Sequence, residues 1–148
     1  RMTAVRLAVD GSGPELVPAF DIADPVRAGR FREQFPDLRS MAADTDLSAL
    51  SAWERRVLAA LLEIPRGKVA SYGSLARRLG APGAARAVGT ACARNPLPLV
   101  FPCHRVVRGD GAAGSYMSVP DSPLKRALLE LEGVRFDRAG RVLPEHRS

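Results

Sequence analysis

The chain has 148 residues, 46% of them hydrophobic and 26% charged, which is the composition of one globular domain or one domain with a short appendage. No apolar run approaches the roughly 18 residues that cross a bilayer, which excludes a membrane-spanning helix. Two cysteines exclude a disulfide framework, and the two histidines form no metal-ligand spacing with them.

The net charge is +6, the pI is about 10.3, and the charge is uneven along the chain. Residues 1–45 hold six Arg and seven Asp/Glu, whereas residues 46–148 hold sixteen Lys/Arg and nine Asp/Glu. The second segment has the electrostatics of a polyanion binder, nucleic acid being the commonest such partner. Charge alone does not separate this from a merely basic surface. Twenty of the 22 basic residues are Arg, a bias that GC-rich codons also produce. The N-terminus lacks a basic-then-apolar signal pattern, so an intracellular protein with free thiols is expected. Arg1 reads as an addition ahead of the natural start, Met2.

Along residues 1–45, Val5 to Val9 alternate like a strand and stop at the turn cluster Asp10-Gly11-Ser12-Gly13-Pro14. Residues 24–35 read as a helix. The signals sharpen from about residue 46. Ser51-Ala52-Trp53-Glu54 is a capping box. Trp53, Val57, Leu58, Leu61 and Leu62 then form one apolar face, ended by Pro65 and Gly67. Ser71 caps a second short helix with Leu75 and Leu79 inward, stopped at Gly80. After the tight turn Ala81-Pro82-Gly83, a third helix runs from about Ala84 to Ala93. Two short helices on a Gly/Pro turn are a helix-turn-helix signature. In the third helix Ala85, Val88 and Cys92 share the inward face. Arg86, Gly89, Thr90 and Ala93 share another, small apart from one Arg. Such a face suits close approach to another surface; close helix packing inside the protein is the plain alternative.

Leu99 to Phe101 read as a short strand leading into Pro102-Cys103-His104-Arg105-Val106. Cationic neighbours favour thiolate over thiol, and thiolate is the nucleophile. Prolines at 96, 98 and 102 stiffen the approach. Cys103 is therefore a candidate nucleophile, whereas Cys92, among Ala and Gly, reads as a small buried hydrophobe. Val106-Val107, a turn at Arg108 to Gly111, and Ala112 to Tyr116 read as a hairpin-like return. Ser122 and Pro123 start a last helix with Leu124, Leu128 and Leu131 inward, ended by Gly133. Val134 to Leu143 reads as a hairpin turning at Asp137 to Gly140.

These segments together resemble the O6-alkylguanine-DNA alkyltransferases. The resemblance runs in unbroken order from about Asp46 to Gly133. It is carried by Ile64-Pro65-Arg66-Gly67-Lys68-Val69, Ser71-Tyr72-Gly73, Gly83 to Gly89, Arg94-Asn95-Pro96, Pro102 to Val106, Tyr116 and Leu131-Glu132-Gly133. It implies an α/β fold, mostly helical: a winged helix-turn-helix-like alkyltransferase domain over 46–148, preceded by a short, reduced N-terminal region over 1–45. It also implies DNA repair by direct reversal, in which an alkyl group passes from O6 of a flipped guanine to Cys103.

By the resemblance, Cys103 is the nucleophile, His104 takes its proton through a water, and Glu132 orients the histidine. Asn95 braces the turn, and Tyr116 hydrogen-bonds guanine N3. Arg86 is the finger that fills the vacated base stack, and Tyr72 crowds the 3′ phosphate. Ala85, Ala87, Gly89 and Thr90 give the helix its minor-groove face. Val106, Met117 and Ser118 border the base pocket through their backbones, and Arg105 pairs with a carboxylate near the site. The implied partner is double-stranded DNA carrying O6-alkylguanine. No metal and no cofactor are implied, and the thioether product implies one turnover per molecule. Nothing indicates a dimer, while cooperative clustering on DNA and action on O4-alkylthymine stay open.

The sequence leaves the family pattern in three places. Residues 1–45 match nothing specific. Met117 to Pro123 replaces a Gly-rich turn over the pocket, which stiffens or reshapes that wall. Phe101 stands where a β-branched aliphatic is commoner. Two other functions compete: a lesion-binding alkyltransferase-like protein without transfer, in which the cysteine is typically replaced, and a cysteine hydrolase built on Cys103, His104 and Glu132.

Overall fold

The computed structural model describes residues 3–7, 14–18, 42–43, 45–116, 118–120 and 122–148. Strands β1 (Thr3–Leu7) and β2 (Pro14–Pro18) pair antiparallel, with Val5 opposite Leu16. The expected first strand is thus present, two residues earlier than its alternation placed it, and the turn cluster leads into a partner. The helix expected over 24–35 lies outside the described residues.

Helix α1 (Ala52–Leu61) starts where the capping box placed it, the Ser51 hydroxyl accepting from Glu54 N at 3.1 Å. A cap of this kind is worth about 1 kcal/mol. Val57, Leu58 and Leu61 are buried, and the half-buried Trp53 donates its indole N–H to Ala87 O at 3.1 Å. That bond ties α1 to the third helix. A two-residue strand β3 (Ala70–Ser71) runs into α2 (Tyr72–Arg78), capped by Ser71 on Ser74 N at 3.0 Å. The link to α3 (Ala85–Ala93) turns through Gly80 and Gly83, at φ +73° and +90°, backbone that disfavours any side chain. Val88, Ala91 and Cys92 face the core, where α3 packs on both α1 and α2. Ala85 is only partly covered, because its side of the helix borders a cavity.

Leu99 to Phe101 do not form the expected strand. Leu99 sits at φ +75°, and Phe101 N donates to Leu97 O at 3.0 Å, closing a tight turn. The prolines that flank this stretch have no N–H to give a ladder, and the Asn95 side chain holds both ends of the turn. A 3₁₀ turn (Cys103–Arg105) follows, then β4 (Val106–Val107). The β4 strand pairs parallel with β3, Ala70 opposite Val106, rather than with the segment that follows it. The turn at Arg108 to Gly111 does form, with Arg108 N donating to Ala112 O at 3.0 Å.

Helix α4 (Pro123–Leu131) buries Lys125, Leu128 and Leu129, and leaves Leu131 48% exposed. The expectation that Leu131 points inward is wrong. The buried face is centred on Lys125, Leu128 and Leu129, about a quarter of a turn from the one that Leu124, Leu128 and Leu131 define. The final hairpin is as expected: Phe136 pairs with Val142, and the Asp137 carboxylate accepts from Ala139 N and Arg141 N at 2.8 and 3.0 Å. Val69, Val107, Leu129, Val134 and Val142 form a small core beneath it, apart from the main one between the helices. The C-terminal residues close the molecule, Val69 N donating to His146 O and Ser148 N to Val69 O.

Candidate active site

Cys103 opens the 3₁₀ turn and is 4% exposed. Its position depends on Asn95, fully buried at the end of α3. The Asn95 amide donates to Phe101 O at 2.7 Å and accepts from Leu97 N at 3.0 Å, so one side chain fixes the loop that delivers the cysteine. Cys103 N in turn donates to Phe101 O at 2.8 Å.

His104 and Arg105 both turn toward Glu132, at the C-terminal end of α4. His104 Nε2 lies 3.0 Å from Glu132 Oε1. Arg105 clasps the same carboxylate through Nε at 2.9 Å and Nη2 at 2.7 Å, and its Nη1 donates to Ile64 O at 2.6 Å. All three side chains are buried. Burial alone would raise the Glu132 carboxyl, but His104 and Arg105 outweigh it and hold it far below the usual carboxylate range. The carboxylate expected for Arg105 is therefore Glu132 itself.

This geometry corrects the charge argument made from neighbouring residues. Arg105 is committed to Glu132 and Ile64. Burial is the largest influence on the Cys103 thiol and pushes it up; a hydrogen bond from Asn95 and the charge of Lys125 draw it back. The cation acting on the sulfur comes from α4, 22 residues away in sequence.

Cys103 lines a cavity of about 780 Å³ whose rim reaches the surface at the exposed Arg86 and Arg108. Ala85, Arg86, Gly89 and Thr90 of α3, Tyr72 of α2, and Tyr116 and Ser118 also line it. Of the expected site residues, Asn95, His104 and Glu132 stand behind the cysteine. Ala87 is exposed with its carbonyl on Trp53, and Val106 is buried in the core, so neither side chain lines the cavity. Met117 lies outside the described residues. Tyr116 and Val119 exchange backbone hydrogen bonds of 3.0 and 2.9 Å across a tight turn, with Ser118 at φ +66°. Ser118 thus adopts the conformation in which glycine is at ease.

A Cβ placed on Gly89 would meet only the Tyr72 ring, at 3.8 Å, an ordinary contact. Packing within the protein does not require glycine there, which weakens the reading of the small face as internal packing. Cys92, Arg108, Ser115 and Lys125 are site residues that the sequence did not single out. A signal existed for Lys125: it is one of two lysines in an Arg-rich chain and falls on the apolar side of α4.

A helix-turn-helix thus stands beside an open cavity that reaches the buried Cys103, with His104 and Glu132 behind it. Residues 52–134 match the family model of the 6-O-methylguanine DNA methyltransferase DNA-binding domain, and the chain belongs to that family. It is 46% identical over 99 residues to the methylated-DNA–protein-cysteine methyltransferase of Methanothermobacter thermautotrophicus, covering 64% of this chain and 54% of that protein. Its fold is similar to a Mycobacterium tuberculosis OGT crystallised with DNA, at TM-score 0.52 and 49% identity over 55% of this chain and 50% of that one. It is also similar to S. pombe Atl1 bound to damaged DNA containing O6-carboxymethylguanine, at TM-score 0.55 and 32% identity over 70% of this chain and 98% of that one. The chain spans about half the length of the curated relatives it matches.

Proposed function

We propose that this protein repairs DNA by moving the alkyl group of O6-alkylguanine onto Cys103, once per molecule. The observation that carries the reading is the buried series Cys103, His104, Glu132 opening into a cavity walled by the small face of α3. Arg86 enters the duplex from that face and occupies the stack left by the flipped nucleotide, while Tyr72 crowds the backbone phosphate beside it. The Cys103 proton passes through a water to His104, whose imidazolium Glu132 stabilises. The thiolate attacks the alkyl carbon, the S–C bond forms, and the C–O6 bond breaks with its electron pair on guanine. The departing base takes up a proton, supported at N3 by Tyr116. Thiol becomes thioether and alkylguanine becomes guanine, with no group left for hydrolysis to remove.

Double-stranded DNA bearing O6-alkylguanine is the proposed partner and the cytoplasm the proposed place of action. Among the described residues no helix is long and apolar enough to cross a membrane, and no group of His, Cys, Asp and Glu could hold a metal. Residues 46–148 form the proposed repair domain and residues 1–45 a separate short region. The likeness to Atl1 favours a second reading, lesion binding without transfer. Mass spectrometry of the protein after incubation with an O6-methylguanine duplex separates the two. One methyl group on Cys103 is expected, and Cys103→Ala should bind the duplex and stay unmodified. Wild-type protein that binds the lesion with an unmodified Cys103 would favour the Atl1-like reading.

A further inference from the structure

Arg86 and Arg108 are the cations that line the cavity reaching Cys103, and among the described residues no carboxylate lines it. The mechanism above uses Arg86 and leaves Arg108 without a task. Arg108 opens a turn that the rest of the chain holds rigid. Its N–H donates to Ala112 O at 3.0 Å, and Gly111 N donates to its carbonyl at 2.9 Å. Val142 N donates to Gly111 O at 2.8 Å and Ala112 lies opposite Arg141, which joins the turn to the final hairpin. The Arg147 guanidinium packs against Gly111, where any Cβ would collide with it, and donates to Val142 O at 3.0 and 2.7 Å. The stem of Arg108 is placed as well: a Cβ on Gly114, another cavity wall, would stand 3.2 Å from Arg108 Cγ. Its side chain is nonetheless 57% exposed.

The charged end is only partly engaged. Nη2 donates to Asp110 Oδ2 at 3.0 Å, while Nε and Nη1 meet no acceptor among the described residues. Asp110 is itself fixed, its Oδ1 accepting from Ala112 N at 3.0 Å. That bond first, with Arg108 and Arg141 adding to it, holds the Asp110 carboxyl below the usual carboxylate value. An exposed ion pair adds little to stability. This one keeps a guanidinium at the cavity mouth with donors open, and a guanidinium held in place beforehand loses little freedom when it meets a phosphate. A base that enters the cavity leaves its sugar and flanking phosphates at the mouth, so a cation there faces the nucleic-acid backbone. We propose that Arg108 is a positioning residue for the flipped nucleotide: tethered by Asp110, it takes a DNA phosphate next to the lesion through its open donors and holds the strand while the base is in the cavity. The inference rests on the alkyl-transfer reading and adds to Arg86 a second cationic contact, from a different element.

Arg108→Ala and Arg108→Lys are compared with Arg108 by fluorescence anisotropy on an O6-methylguanine duplex over a range of salt, all in the Cys103→Ala background so that transfer does not intervene. For Arg108→Ala the plot of log affinity against log salt should be shallower by about one, and affinity at about 100 mM salt should fall roughly three- to tenfold. Arg108→Lys keeps the charge and should restore the slope. Duplexes in which one phosphate at a time is replaced by an uncharged methylphosphonate locate the contact. Replacement at one linkage beside the lesion should weaken binding when Arg108 is present and leave Arg108→Ala no weaker. Should Arg108→Ala fail to fold, Arg108→Gln, which keeps the stem against Gly114, makes the same comparisons. An Arg108→Ala slope and affinity that match those with Arg108 overturn the proposal, as does a methylphosphonate effect that is the same in both proteins at every linkage. Protein with Cys103 intact that shows the Arg108-dependent slope but leaves Cys103 unmodified overturns the transfer reading instead, and leaves Arg108 a DNA contact.

Discussion

The His104 imidazole and the Arg105 guanidinium meet at Glu132, where a single substitution separates structural from chemical roles. Glu132→Gln keeps the shape and leaves Arg105 buried without its counter-ion, at a cost of roughly 3–5 kcal/mol. Its midpoint in urea should fall accordingly. The folded-state carboxyl lies below its ordinary value of 4.5, so its contribution is complete above that pH and is lost as pH falls below it. Wild type should lose stability steadily from pH 4.5 toward pH 2, and the Gln variant should show a flatter profile over that interval in thermal melts. The variant should also transfer more slowly, because His104 loses the group that stabilises its protonated form. At this scale the sequence was partly legible. Cys103 stands out by its neighbours in sequence, whereas His104, Asn95 and Tyr116 stand out through the family resemblance. The source of charge at the sulfur does not, because adjacency in sequence says nothing about where a side chain turns: Arg105 faces Glu132, and Lys125 arrives from another helix.

Among the elements, α3 carries the proposed DNA contact and α1 only supports it. The Arg86 side chain is exposed and makes no hydrogen bond or ion pair among the described residues, so Arg86→Ala should leave thermal stability within about 0.5 kcal/mol of wild type. Transfer from a duplex should nonetheless fall by at least an order of magnitude, while transfer from free O6-benzylguanine, which needs no flipping, should be unchanged; equal loss on both substrates would remove Arg86 from the flipping step. Helices α1 and α2 were legible because cap, breaker and apolar spacing agree at each, and α3, which has no side-chain cap, because its glycine turn and apolar spacing agree. Leu99 to Phe101 read as a strand because three apolar β-formers in a row mimic one locally. The Asn95 amide, which bends them into a turn, acts across six residues that no local pattern connects.

For the whole molecule, net positive charge over 46–148 and an open cavity predict binding governed by phosphate contacts. Affinity for undamaged duplex should fall at least tenfold between about 50 and 200 mM salt, measured by fluorescence anisotropy. The sequence by itself determined the chemistry available: a cysteine next to a histidine, a glutamate, an arginine on a small-faced helix, and a net positive charge over residues 46–148. Tertiary structure decided which of these touch. It paired β4 with β3 instead of with the segment after it, turned Leu131 to solvent and Lys125 inward, and set the thiol's charge partner on α4. The physical reason is that caps and periodicity act over a few residues, whereas a thiol's ionisation and a cavity's shape depend on burial and on groups brought together from distant parts of the chain.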